Sequence, residues 1–186
     1  MRKLKALLFI FFSIFLLYRT VLMVNNLWIN YSTELSFGKS LLLSFLLNLY
    51  ITGIFAFPGF VLPTHKLLSK KYYQIKNKKL LIQTYKFLRV DIFRQALLFA
   101  FWGSKKNRSK YFNGTKGGLQ NFIYQSKQSE FGHIASFIII LALSLALVLK
   151  GYVLLSCLAI SINILGNFYP VVLQRYHRIR IENILK

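Results

Sequence analysis

Glu130 and His133 are the residues of this chain whose types and spacing best suit acid-base chemistry. The sequence holds four acidic residues and three histidines, so the groups able to move a proton near neutral pH are few. An i, i+3 spacing sets both side chains on one face of a helix. They stand at the start of an apolar run, and an ionisable group at a membrane boundary points to function. An imidazole titrating at about 6.5 is a natural general base near neutral pH. On this reading His133 takes a proton, while Glu130, one turn earlier, accepts a hydrogen bond from the other ring nitrogen and stabilises the imidazolium. The competing reading makes the pair an interfacial polar anchor.

A second group lies further on. Asn163, Asn167, Pro170 and Gln174 recur at steps of four, three and four, which is one stripe of a helix. Asn and Gln side chains in lipid need partners, so the stripe either glues helices together or lines a substrate path. The stripe runs into Gln174-Arg175-Tyr176-His177-Arg178-Ile179-Arg180. Arg175 and Arg178, with Tyr176 between them, are candidates to hold a phosphate or carboxylate through paired hydrogen bonds. Plain stop-transfer charges are the alternative.

The elements that position these residues follow from composition. A chain of 186 residues that is 55% hydrophobic carries more apolar surface than a soluble domain can cover. The expected fold is an all-α integral membrane protein, a single membrane domain over 1–186. Four runs reach the roughly 20 residues that cross a bilayer core, at about 5–24, 41–62, 131–149 and 152–173. The first has Arg2, Lys3 and Lys5 ahead of it and reads as a retained signal anchor. Arg19 falls near its outer end, where a long side chain snorkels. Of the 25 basic residues, three precede the first run, fifteen lie between Lys66 and Lys127 and four follow the last run, while the two hairpin loops carry Lys39 and Lys150. The positive-inside rule then sets both termini and a basic segment over 63–130 in the cytoplasm of a multi-pass cell-membrane protein. Next to membrane spans, this charge signals attraction to anionic lipids rather than to nucleic acid.

Within that segment, residues 85–98 place Leu88, Ile92 and Ala96 on one stripe with Phe93 and Leu97 beside it. This predicts an amphipathic helix in the cytoplasmic interface between the second and third spans, dipping through Phe99 to Trp102. Asn113-Gly114-Thr115-Lys116-Gly117-Gly118 reads as a turn. The triplets beginning at Asn30, Asn107 and Asn113 match the glycosylation pattern, but the last two fall on the predicted cytoplasmic side. Cys157, the only cysteine, is expected to be buried and inert.

Several chemistries are excluded by pattern. Histidines at 65, 133 and 177 are too few and too scattered for a membrane di-iron site, and no His-Glu-x-x-His or Cys-x-x-Cys pair occurs, so no metal is expected. No Gly-x-Ser-x-Gly elbow or dinucleotide glycine fingerprint is present, and no bound cofactor is expected.

Ser129-Glu130-Phe131-Gly132-His133, followed by Asn167-Phe168-Tyr169-Pro170 and Gln174 to Arg180, resembles the carotenoid-pathway acyltransferase family typified by glycosyl-diaponeurosporenoate acyltransferase. The resemblance covers about 85–181. His177 and Ile179 stand where the family pattern has Asn and Pro, and Tyr169-Pro170 is displaced by one. The resemblance implies esterification of a fatty acyl chain onto the sugar of a carotenoid glycoside or related lipid acceptor, with His133 taking the proton of the hydroxyl that attacks a thioester carbonyl, Asn167 and Gln174 donating to the developing oxyanion, and Arg175 and Arg178 holding the phosphate of an acyl-CoA or acyl-carrier-protein donor. Two other classes stay open on the residues alone: a non-enzymatic membrane accessory protein, and another lipid-modifying transferase such as a methyltransferase. The charge pattern itself is testable. Reporter fusions at Asn77, Asn113 and the C-terminus are expected in the cytoplasm, and fusions at Asn30 or Gly151 outside; a cytoplasmic signal at Asn30 overturns this orientation.

Overall fold

The computed structural model describes residues 2–29, 35–102 and 115–185. The glycosylation triplets at Asn30, Asn107 and Asn113, and the start of the turn at Asn113, lie outside them. Among the described residues every regular element is helical: α1 (Arg2–Ile29), α2 (Phe37–Gly59), a 3-10 turn (Thr64–Leu67), α3 (Lys70–Tyr73), α4 (Lys78–Phe87), α5 (Val90–Leu97), a π turn (Leu98–Trp102), α6 (Lys116–Leu149), α7 (Val153–Asn163), a second π turn (Ile164–Phe168) and α8 (Tyr169–Leu185). Four helical runs among these residues are long and apolar enough to cross a membrane: Lys3–Ile29, Phe37–Gly59, Lys116–Leu149 and Val153–Leu185. Their outer faces carry large exposed apolar side chains such as Leu7, Phe11, Phe45, Ile138, Leu149 and Leu165. Such a surface is stable only where lipid is the solvent.

The chain divides into two compact units, one formed by Met1–Thr64 with Phe131–Phe168 and the other by His65–Glu130 with Tyr169–Lys186. In the first unit the core is Leu47, Ile51, Ile140, Leu147, Tyr152, Leu155 and Ala159. Small polar residues join its helices, because lipid offers no alternative partner to a hydroxyl or amide. Ser44 Oγ donates to the Leu155 carbonyl at 2.9 Å and Asn48 Nδ2 to the Ala159 carbonyl at 3.0 Å, joining α2 to α7. Ser13 Oγ reaches the Ile54 carbonyl at 2.8 Å, and Phe57 stacks on Phe9 and Phe12, which ties α1 to α2. Gly151, at φ 87°, makes the sharp reversal between α6 and α7, where its amide and that of Tyr152 cap the Val148 and Leu147 carbonyls. A residue with a Cβ would be strained in this left-handed position.

In the second unit, α8 packs along α4 and α5. Tyr176 stacks on Tyr85 with ring centroids 3.9 Å apart, Tyr169 meets Phe93 edge-on at 5.6 Å, and Glu182 pairs with Lys78 at 3.0 Å.

The structure differs from the sequence reading at several places. The single amphipathic helix expected over 85–98 is two helices, with a break at Leu88 and Arg89. Arg89 sits at φ 51°, ψ 40°, so the chain turns and both Tyr85 and Val90 become buried. Lys116, Gly117 and Gly118, read as part of a turn, form the first turn of α6, where Thr115 Oγ1 caps the Gly118 amide at 3.0 Å. Helix α6 therefore begins inside the basic segment assigned to 63–130, with Leu119 buried. The helix that carries the fourth run extends to Leu185. Cys157 faces outward instead of inward.

Because an L-residue in the left-handed region costs about 1–2 kcal/mol that glycine avoids, Arg89→Gly is expected to raise the thermal midpoint of the detergent-solubilised protein. Arg89→Val is expected to lower it, and thermal unfolding read by circular dichroism separates the two.

Candidate functional site

Glu130 is fully buried in the second unit, at 0% exposure. An ionised carboxylate removed from water needs both charge and hydrogen-bond compensation. Two arginines from α8 provide it. Arg175 Nε donates to Glu130 Oε1 at 2.7 Å, and Arg178 Nη2 donates to Glu130 Oε2. Arg178 is itself only 2% exposed, and its Nη1 donates to Ser126 Oγ at 2.9 Å. Ser126 Oγ in turn donates to the Gln174 carbonyl at 3.1 Å, and Gln174 Nε2 to Ser129 Oγ at 3.3 Å. Helix α3 closes another side: Arg175 Nη2 donates to the Tyr72 carbonyl at 3.3 Å, and its guanidinium lies 4.8 Å from the Tyr72 ring centre. Burial, reinforced by the Glu130 charge, raises the phenol pKa of both Tyr72 and Tyr73. Both hydroxyls therefore keep their protons at neutral pH.

These contacts assign the sequence-predicted residues differently from the expectation. Both oxygens of Glu130 are bound by arginine, and the partner of His133 Nδ1 is Asn167. Arg178 is enclosed and committed to Glu130 and Ser126. Arg175 keeps a side chain 28% exposed and is the member of the pair with access to solvent. The Gln174 amide nitrogen is occupied by Ser129, and Tyr176 spends its ring on Tyr85.

His133 has a different partner, within the first unit. Its Nδ1 lies 3.0 Å from Asn167 Oδ1. The direction of that bond follows from a chain of donors that ends at a backbone carbonyl. The Phe137 carbonyl can only accept, so the Asn163 atom 3.0 Å from it is the amide nitrogen Nδ2. Asn163 Oδ1 then accepts from Asn167 Nδ2 at 2.9 Å, which leaves Asn167 Oδ1 facing His133 as an acceptor. Thr52 Oγ1 donates to that same oxygen at 3.2 Å. His133 Nδ1 must therefore carry a hydrogen, and in the neutral ring the lone pair resides on Nε2. The ring is half-buried, and the Gly166 backbone carbonyl is a second hydrogen-bond acceptor beside it. Asn167 and Gly166 both belong to the π turn Ile164–Phe168, a local widening of the helix that often marks functional positions.

Asn167 thus orients a ring nitrogen, and its amide nitrogen is taken by Asn163 rather than left free for an oxyanion. Among the described residues no cluster of three His, Cys, Asp or Glu side chains is placed to hold a metal ion. Thr52, Ser126, Tyr72, Tyr73 and Gln128 escaped the sequence reading. Thr52 had a signal: Ser40, Ser44, Asn48 and Thr52 form a polar series at steps of four in an apolar helix.

Residues 69–186 match the family described as CrtO, Glycosyl-4,4'-diaponeurosporenoate acyltransferase. No curated protein and no solved structure gave a match. The match spans Glu130, His133, Asn163, Asn167 and both arginines.

Removing one partner of a buried pair leaves the other charge uncompensated, at about 3–5 kcal/mol. Glu130→Ala is therefore expected to destabilise the protein by that amount and to lower its level in membranes. Arg175→Lys, which keeps the charge at the more exposed position, is expected to cost about 1 kcal/mol. Urea or thermal denaturation of the purified variants measures both.

Proposed function

We propose, from the premise that this chain belongs to the glycosyl-4,4'-diaponeurosporenoate acyltransferase family, that it is a multi-pass membrane acyltransferase moving a fatty acyl chain onto a hydroxyl of a glycosylated carotenoid or related lipid. The observation that carries the chemical part is the His133 ring, hydrogen-bonded at Nδ1 to Asn167 Oδ1 and so holding a basic Nε2. In the reaction, Nε2 takes the acceptor hydroxyl proton as the new C–O bond forms to the acyl carbonyl carbon. The C–S bond of an acyl-CoA or acyl-carrier-protein thioester then breaks, and the proton passes to the departing thiolate. Asn167 is the positioning residue, assisted by Thr52 and Asn163. It holds the ring in one tautomer and one orientation, a task that an aspartate or asparagine performs in other histidine-based enzymes.

Arg175 binds the anionic part of the donor with its exposed face, while Glu130, Arg178 and Gln174 hold that arginine and its surroundings in place; Tyr176 contributes through its stack on Tyr85. The protein sits in the cytoplasmic membrane with both termini inside. Phe87 and Phe99, 85% and 93% exposed, flank Ile92 on α5 and enter the acyl-headgroup boundary, and the surrounding lysines meet anionic headgroups.

General base catalysis of this kind contributes about 10²- to 10⁴-fold. His133→Ala is expected to accumulate the unacylated glycoside while protein level and membrane insertion stay at wild-type values. Asn167→Ala is expected to give an intermediate rate, because the base remains but its orientation is lost. Lipid extraction and mass spectrometry of cells producing each variant measure the outcome. Wild-type amounts of acylated product from His133→Ala would overturn the assignment.

A further inference from the structure

His65 takes no part in the reading above, yet the structure prepares its ring in the same way as that of His133. In the second unit, Gln128 projects from α6 toward the 3-10 turn. Its Oε1 lies 2.7 Å from the His65 backbone nitrogen and 2.6 Å from His65 Nδ1. A backbone N–H can only donate, so the Gln128 atom is the oxygen, and the second contact fixes a hydrogen on Nδ1. The lone pair of the neutral ring is again on Nε2, which has no hydrogen-bond partner among the described residues. The ring is held edge-on to Tyr124 and Tyr73, with centroids 4.9 Å and 6.4 Å away. Tyr73 is 7% exposed, and its buried hydroxyl also has no partner among the described residues. Tyr124, at 40% exposure, opens the cluster to the outside.

A vacant acceptor on His65, set in an aromatic cluster, is the complement of an alcohol, which donates through its hydrogen. Aromatic rings beside such an acceptor add apolar contact for the carbon skeleton that carries the hydroxyls. We infer that His65, Tyr73 and Tyr124 form a subsite for a sugar ring, with one sugar hydroxyl donating to His65 Nε2. The choice of a sugar over another alcohol rests on the proposed glycoside acceptor. His65 is a binding residue here, and no bond to it is made or broken.

One substitution separates this role from a structural one. His65→Asn can keep both hydrogen bonds to Gln128, from the backbone amide and from a side-chain nitrogen in the Nδ1 position, but has no atom at Nε2. It is expected to raise KM for the glycosylated acceptor about five- to tenfold, the worth of one hydrogen bond, with kcat within about twofold of wild type. An unchanged KM, or a loss of kcat at unchanged KM, would overturn the subsite.

A readout without turnover uses the full chain, nitrogen-15-labelled at histidine, in phosphocholine micelles. Titration with n-octyl β-D-glucoside is expected to shift the His65 Nε2 resonance while Nδ1 stays protonated, and n-octanol is expected to leave it in place. No shift with the glucoside, or the same shift with octanol, would refute sugar binding. A glucoside-specific shift in a wild-type protein that transfers no acyl group would support the subsite and defeat the acyltransferase reading, so the two failures are distinguishable.

Discussion

A carboxylate with no access to water stays ionised only if the protein replaces its hydration, and the second unit of this chain is arranged around that demand at Glu130. Two guanidinium groups from one helix face bind its two oxygens, and further donors of those arginines reach Ser126 on α6 and the Tyr72 carbonyl on α3, while Arg178 Nε has no partner among the described residues. Two positive charges against one negative leave an excess. Cation-π contact with Tyr72, and solvent at the open side of Arg175, spread that excess. A pair of this kind adds little net stability compared with apolar packing. Its force lies in the cost of every alternative, because a shift of α8 by one residue against α6 strands a buried charge.

Glu130 and His133 share α6 but do different work. The acid is absorbed into charge compensation, and the imidazole is held by uncharged amides. That division has a chemical logic. A carboxylate at Nδ1 would raise the basicity of the ring, whereas Asn167 fixes the tautomer and leaves the charge of the site unchanged. An amide relay anchored on the Phe137 carbonyl also suits a membrane setting, where each added charge is expensive. The π turn makes this possible by presenting Asn167 and Gly166 at the ring.

Much of the fold was legible in hydropathy and charge. The four membrane-capable helices fall where apolar runs of bilayer length occur, since that signal sums over some twenty residues and tolerates local error. The extents were less legible. Helices α6 and α8 continue into polar sequence because Leu119, Arg178 and Ile179 find buried partners there, which hydropathy cannot register. The break at Arg89 was hidden as well, because a left-handed arginine carries none of the glycine signature that normally marks such a turn. At the site, residue types were legible and pairings were not. A spacing of i, i+3 shows that Glu130 and His133 share a face, but their actual partners lie 45 and 34 residues away. The His65–Gln128 clamp, across 63 residues, left no local pattern at all.

The account depends most on the state of the His133 ring, because the proposed chemistry uses Nε2 only if the amide relay holds the proton on Nδ1. Nitrogen-15 spectra of histidine-labelled protein in lipid nanodiscs, assigned by replacing His65 and His177 in turn, read that state directly. The expected result is a protonated Nδ1 and an unprotonated Nε2 at His133, with both tautomers appearing once Asn167→Ala removes the acceptor. A hydrogen on Nε2 in the wild-type protein, or a tautomer indifferent to Asn167, would contradict the account.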